Sequence, residues 1–421
     1  KLRIFRRWVA SGRMTEAGIL LQKQNIPDMT RTLRIILTLC LLASAGTGAA
    51  QSIVRKSFAR AAQQIALMDS LAPADRFPAS WEHDGTTRYT SAKGWISGFF
   101  PGNIWYLYEY TGDAKWLEAA RRRTAQLETL RHYTQTHDVG FMVGCPCSLA
   151  YRLTRDDYYK QLMIDSSEAL ISRFDPTVGL IRSWNNKDGK ANPFRVIIDN
   201  MMNLEMLFLA SEFTGDSRYR DIAVTHADNT LKNHFRADNS CFHILCYDTG
   251  TGRVVTQKGG QGYSQTSAWS RGQSWGLYGF TMCYRFTHDR RYLDRAVKSA
   301  EYFIGHPNLP EDKVPYWDYY APGIPDEPRD ASAAAVTASA LLELARYVPE
   351  KEKLYYKTAE KILRSLASDR YLIPAGKKNG FLIDHSVGSK PSKSQVDVPI
   401  IYGDYYFLEA LLRLKNYKSH K

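Results

Sequence analysis

The chain has 421 residues, with 56 Lys and Arg against 43 Asp and Glu for a formal charge of +13, and 44% of its residues are hydrophobic and 12% aromatic. With 9 Trp, 26 Tyr and 17 Phe it can fill a large core, which excludes wholesale disorder, a collagen-like repeat and a small disulfide scaffold. The basic excess raises nucleic acid as a partner, but charge of this kind matters only when it is clustered on a folded face.

In chain order the first fifty residues come first, and they hold Lys1, Arg3, Arg6, Arg7, Arg13, Lys23, Arg31 and Arg34 against Glu16 and Asp28. Six of the thirteen charges therefore fall here. Met29-Thr-Arg-Thr-Leu-Arg34 reads as a basic n-region, Ile35 to Ala45 as an apolar h-region, and Gly46-Thr-Gly-Ala-Ala50 as small residues before a cleavage point. The expectation is a non-native leader over 1–28, a secretory signal peptide over 29–50 and a periplasmic or secreted mature chain over 51–421. The apolar run falls short of the roughly 20 residues that span a bilayer, so no stable membrane anchor is expected. Cys145, Cys147, Cys241, Cys246 and Cys283 remain beyond residue 50; they read as buried thiols, with one Cys241–Cys246 bond as an open alternative.

A short signature then recurs: Tyr110-Thr-Gly-Asp-Ala-Lys-Trp116, Leu153-Thr-Arg-Asp-Asp-Tyr158, Phe213-Thr-Gly-Asp-Ser-Arg-Tyr219 and Phe286-Thr-His-Asp-Arg-Arg-Tyr292. A degenerate fifth copy runs from Tyr347 to Tyr355. Each copy ends one amphipathic run and begins another, as the tight turn of a helical hairpin does. Counting outward predicts helices near 52–70, 98–110, 113–131, 143–153, 157–173, 199–213, 216–233, 270–286, 290–304, 331–347, 351–368 and 402–416. Loop or β-like stretches fall at 240–265 and 371–400. Twelve helices with no alternation of strand and helix predict an all-α, single-domain (α/α)6 toroid, a six-hairpin barrel; an open helical solenoid is the alternative.

In such a barrel the inner helices begin near 98, 143, 199, 270, 331 and 402. The residues with chemical potential fall at those starts: Gly94-Trp-Ile-Ser-Gly98, His137-Asp138-Val-Gly140, Asp199-Asn-Met-Met-Asn203, Trp269-Ser-Arg-Gly-Gln-Ser-Trp275, Asp330-Ala-Ser332 and Tyr402-Gly-Asp404. Taken singly, Asp138 and Asp199 read as N-caps and Trp95, Trp184, Trp269, Trp275 and Trp317 as core. Taken together, two acids, an Arg, amides and aromatic faces at one mouth equip a pocket for a carboxylated sugar.

These motifs, with Gln261-Gly-Tyr263 and Ile401-Tyr-Gly-Asp-Tyr-Tyr-Phe407, resemble the unsaturated glucuronyl hydrolases of glycoside hydrolase family 88 over nearly the whole mature chain. The related unsaturated rhamnogalacturonyl hydrolases share the fold, but there the counterpart of Arg271-Gly-Gln273 reads Arg-Gly-Asn. The resemblance implies removal of a 4,5-unsaturated uronic acid from the non-reducing end of lyase-generated oligosaccharides of glycosaminoglycan type, by hydration of the C4=C5 enol ether. It implies Asp199 as general acid/base and Asp138 as the second essential acid. It further implies that His243, Gln261 and Arg271 hold the uronate and hydroxyls, and that Trp184, Trp275 and, less directly, Trp95 stack on sugar rings. Lys390 and Lys393 fall where some relatives bind a carboxylate or sulfate. No metal or organic cofactor is expected, and the expected partner is an unsaturated acidic oligosaccharide, not nucleic acid. Action on pectin fragments and a non-catalytic periplasmic sugar-binding role remain the alternatives.

Overall fold

The computed structural model describes residues 29–417, with side chains from Ala50 onward. The expected leader 1–28 lies outside these residues, and so do the side chains of the expected n- and h-regions. Among the described residues no helix is long and apolar enough to cross a membrane.

From Ala50 onward, helix α1 (Met29–Leu71) buries Val54, Phe58, Ala61, Ile65 and Met68, a stripe at alternating spacings of four and three that makes this part an outer helix. The odd-numbered helices α3 (Ala114–Ala125), α5 (Asp157–Ile171), α7 (Ser217–Asn233), α9 (Arg290–Gly305) and α11 (Glu352–Leu366) are likewise buried along one side. The even-numbered α2 (Phe99–Thr111), α4 (Cys145–Thr154), α6 (Leu204–Thr214), α8 (Ser270–Thr287), α10 (Ala331–Leu344) and α12 (Ile401–Lys415) form the inner set. All fourteen residues of α10 are buried, as a helix packed on every side must be. Helix α12 packs against both α10 and α2. The last inner helix thus meets the first, which closes a ring and excludes the open solenoid.

The repeated signature has a direct physical meaning. Gly112 and Gly215 close their helices in the left-handed conformation, and the next residue, Asp113 or Asp216, caps the following helix by accepting the N–H two residues on. Arg155 and His288 take the same left-handed position with a side chain, at φ 58° and 54°, before Asp156 and Asp289. The fifth copy departs: a 3-10 turn, Pro349–Lys351, replaces the Asp cap.

Four small antiparallel sheets decorate the ring. They are β1 (Phe77–Trp81) with β2 (Thr87–Thr90), β3 (Phe174–Asp175) with β4 (Leu180–Ile181), β5 (Phe194–Ile197) with β6 (Ile244–Tyr247) and β7 (Val254–Lys258), and β8 (Ser386–Ser389) with β9 (Ser394–Val398). The stretches at 240–265 and 371–400 do contain strands. All five described cysteines are free thiols. Cys241 faces the main core, whereas Cys246 packs with Ile197, Ile244 and Trp184, so the Cys241–Cys246 bond is not formed.

Candidate active site

Neither candidate acid lies in an α-helix. Asp138 lies two residues before a π-turn, Gly140–Gly144, that leads into α4, and Asp199 lies within a 3-10 turn, Ile198–Asn203, that leads into α6. Asn203 locks the two together, its Oδ1 accepting the N–H of Phe141 at 2.9 Å. Neither acid is an N-cap. Asp199 lies inside the 3-10 turn, and Asp138 is held by its neighbours, with Oδ2 accepting the Thr136 hydroxyl at 2.6 Å and Oδ1 lying 3.3 Å from His137 Nε2.

The β5–β6 pairing brings His243 to Asp199. Ile197 stands opposite Ile244, the Ile198 N–H donates to the His243 carbonyl at 3.1 Å, and His243 Nε2 ends 3.6 Å from Asp199 Oδ2. Gln273 on α8 fixes the approach, because its amide both accepts from and donates to the backbone of Cys241, at 2.9 and 3.3 Å. On the other side of the ring, the Gln261 N–H donates to His243 Nδ1 at 2.9 Å. That bond leaves the ring proton on Nε2, facing Asp199. Gly260 permits the approach: at φ +61° any Cβ would lie 2.1 Å from Nδ1.

Burial pushes the Asp199 carboxyl up to about 7; the Arg271 charge opposes this rise, the Asp138 carboxylate adds to it, and the Trp275 indole N–H opposes it. Asp199 is therefore poised between acid and base near neutrality. Burial, helped by Arg271, pushes His243 down to about 3, so it is a neutral donor. Asp199 Oδ2, His243 Nε2, Trp275 Nε1 and Arg271 Nε are all buried without a completed hydrogen bond. Such groups are costly unless a ligand engages them.

The remaining expected site residues divide. Trp95 and Trp184 are half-buried and fit stacking: Trp95 packs edge-on to Phe141, and Trp184 lies edge-on to the His137 ring, beside Asp138. Trp275 differs from expectation. Its ring is wholly buried between Phe141 and Tyr406, at centroid distances of 5.5 and 5.4 Å, so it offers an N–H and not a face. Arg271 differs too. Its guanidinium is committed to Asp330 Oδ2 at 2.8 Å, to Gly388 O at 2.7 Å and to the Val387 carbonyl, so it brings charge to the site and not a free fork. Gln261 Nε2 donates to the same Gly388 carbonyl at 2.7 Å. Lys390 pairs with Glu327 and covers the Trp317 ring, which takes it out of anion binding in this structure. Lys393 is exposed in the β8–β9 turn.

Three further participants stood in the helix-start motifs without being assigned a role in the site. Trp269 stacks on His243 with ring centroids 4.4 Å apart. Asp330 caps α10 through the N–H groups of Ser332 and Ala333 while also pairing with Arg271. His137 is fully buried beside Asp138. The Asp-Ala-Ser cap pattern gave a signal for Asp330; Trp269 and His137 stood beside the expected site residues in sequence, but nothing local marks their roles. Asp404, at the same mouth, serves the fold by accepting the N–H groups of Leu382 and Ile383. A cavity of about 570 Å³ lies behind the site, among Tyr106, Glu205, Tyr278, Arg285, Glu409 and Arg413, where opposite charges are mutually paired. Among the described residues no group of three or more His, Cys, Asp or Glu is placed to hold a metal ion.

Comparison with known proteins agrees with this geometry. Residues 72–418 match the Glycosyl Hydrolase Family 88 family. An unsaturated glucuronyl hydrolase of Formosa agariphila is 46% identical over 327 residues, covering 77% of this chain and 81% of its own. One from Bacillus sp. GL1 is 35% identical over 356 residues, covering 81% and 91%. Among solved structures, an unsaturated glucuronyl hydrolase specific for heparin superposes with a TM-score of 0.84 at 43% identity, covering 86% of this chain and 97% of that one.

Proposed function

This chain belongs to glycosyl hydrolase family 88, and we propose that it removes a 4,5-unsaturated uronic acid from the non-reducing end of glycosaminoglycan-type oligosaccharides. The observation that carries this reading is the buried Asp199, raised to about 7 and facing the unfilled N–H groups of His243 and Trp275. An ordinary glycosidase would set two carboxylates about the anomeric carbon. Here one protonated acid suffices. Asp199 delivers its proton to C4, positive charge develops at C5 and the ring oxygen, and the resulting carboxylate takes a proton from the water that adds to C5. The atoms of one water end on C4 and C5, and Asp199 is restored to its acid form. The C5 hemiketal then opens, and the free C1 hemiacetal releases the aglycone. Neutral His243 and the Trp275 N–H hold hydroxyl or carboxylate oxygens, the buried Arg271 charge favours an anionic guest, and Trp95 and Trp184 offer ring faces.

Asp138 tunes Asp199 through its charge. The glycosaminoglycan class is supported by the heparin-specific relative and by a Streptococcus agalactiae unsaturated glucuronyl hydrolase, solved in complex with dGlcA-GalNAc6S, at 30% identity and a TM-score of 0.73 over 86% of this chain and 91% of that one. Export to the periplasm or medium is supported by the n-, h- and small-residue order of 29–50. The test is loss of double-bond absorbance over a panel of lyase-generated disaccharides, sulfated and unsulfated, from heparan, chondroitin and pectin. We expect consumption of the glycosaminoglycan disaccharides and a loss of about 10²–10⁴-fold or more in Asp199→Asn. Preferential consumption of the pectin disaccharide would move the substrate to the rhamnogalacturonyl class, and binding without consumption would leave a sugar-binding protein.

A further inference from the structure

Asp318 is wholly buried, and its carboxylate fastens two surface loops at once. Oδ2 accepts the Tyr263 N–H at 2.9 Å and the Ser267 hydroxyl at 2.8 Å, while Oδ1 accepts the Tyr320 N–H at 2.9 Å. The backbones of both tyrosines are thereby fixed, yet the two residues remain 51% and 46% exposed. Tyr158, which is also exposed, is different: its hydroxyl is spent on Glu128 and Arg131 lies over its ring. Tyr263 has no aromatic or cationic ring neighbour among the described residues, whereas Tyr320 meets the edge of His306, at 5.3 Å, and its hydroxyl lies against that of Tyr302.

Short contacts lead from this pair to the acid. Asp318 forms an antiparallel bridge with Trp269, Trp269 stacks on His243, and His243 faces Asp199. The Tyr263 loop also carries Gln261, whose N–H orients that imidazole. The two tyrosines thus stand outside the layer that would hold the uronate. A ring with a rigid base and an exposed face suits a pyranose, whose C–H face stacks on it, and the Tyr263 hydroxyl can also exchange hydrogen bonds with the sugar.

We propose that Tyr263 and Tyr320 form a distal sugar site for the aglycone, beyond the residue joined to the departing uronate, so that chains longer than a disaccharide gain affinity there. The proposal rests on the hydrolase reading above. Its test compares kcat/KM on unsaturated di- and tetrasaccharides of one glycosaminoglycan for the wild type, Tyr263→Ala, Tyr320→Ala, the double variant and the matching Tyr→Phe variants. The expected result for the double variant is a loss of about tenfold on the tetrasaccharide, expressed in KM, with the disaccharide within about twofold and the Phe variants close to wild type. An equal loss on both substrates, or none on the tetrasaccharide, overturns it. Calorimetric binding of the tetrasaccharide to Asp199→Asn, with and without the tyrosines, separates the two readings. If wild type leaves the double bond intact, the hydrolase reading fails, and the binding difference alone decides the distal site.

Discussion

Asp199 owes its acidity to distant parts of the chain. Burial by α8 and the β5–β6 sheet supplies the leading rise, and Arg271 and Asp138 act against each other on top of it. Two pH effects follow. As a general acid Asp199 must be protonated, so kcat/KM should fall as pH rises through about 7, while His243, lowered to about 3, stays neutral throughout and does not shape that limb. In Asp138→Asn the raising charge is gone, and the residual activity should lose its alkaline limb at lower pH; an unmoved limb would show that Asp138 does not tune Asp199. The stability effect has the same sign: a carboxyl raised in the folded state costs stability as pH climbs from its ordinary range near 4 toward 7, and Asp199→Asn should remove that slope. Arg271 and Asp330 make a second residue-scale case, with side chains 1% and 0% exposed. Asp330→Ala would strand the buried guanidinium and remove the α10 cap, a cost of about 3–5 kcal/mol read as a lower urea midpoint. The identities of both acids were legible in the sequence as helix-start residues. Their environment was not, because Trp275, Arg271 and His243 arrive from elsewhere in the chain, and the resemblance alone could not reveal that Trp275 offers an edge and Arg271 no free fork.

Among the elements, the hairpin turns were legible for a plain reason: a left-handed closing residue followed at once by an Asp cap is a local device, written in four adjacent residues. The same device makes a prediction. His288 pays a left-handed penalty that Gly112 and Gly215 avoid, so His288→Gly should raise the unfolding midpoint, by about 1 kcal/mol in stability. Asp289→Ala, which removes the cap from the Arg291 N–H, should lower stability by a similar amount, about 1 kcal/mol. Equal midpoints for both variants and wild type would contradict this account of the signature. What local pattern could not deliver is the start of α4 and α6 in turns that are not α-helical, since the π-turn Gly140–Gly144 is held through the Phe141 N–H to Asn203, 62 residues further on. Strand β5 was also unread: its four residues acquire meaning only by pairing with β6.

At the largest scale, periodicity was enough for the twelve α-helices found among the described residues, and ring closure followed from α12 meeting α2. The charge that first raised nucleic acid also changes its meaning, because six units of the net charge of +13 lie in the first fifty residues. The remaining +7 suits attraction of acidic sugars, a long-range effect distinct from the chemistry at Asp199. That chemistry makes one claim above all: the enzyme attacks the double bond and not the anomeric carbon. It is tested most directly by running the wild-type reaction on an unsaturated disaccharide in D2O, following absorbance and aglycone together and locating deuterium in the early uronic product. The account predicts that the aglycone appears only as the absorbance is lost, with one carbon-bound deuterium at C4. Release of the aglycone with the C4=C5 bond intact and no deuterium at C4 would contradict it.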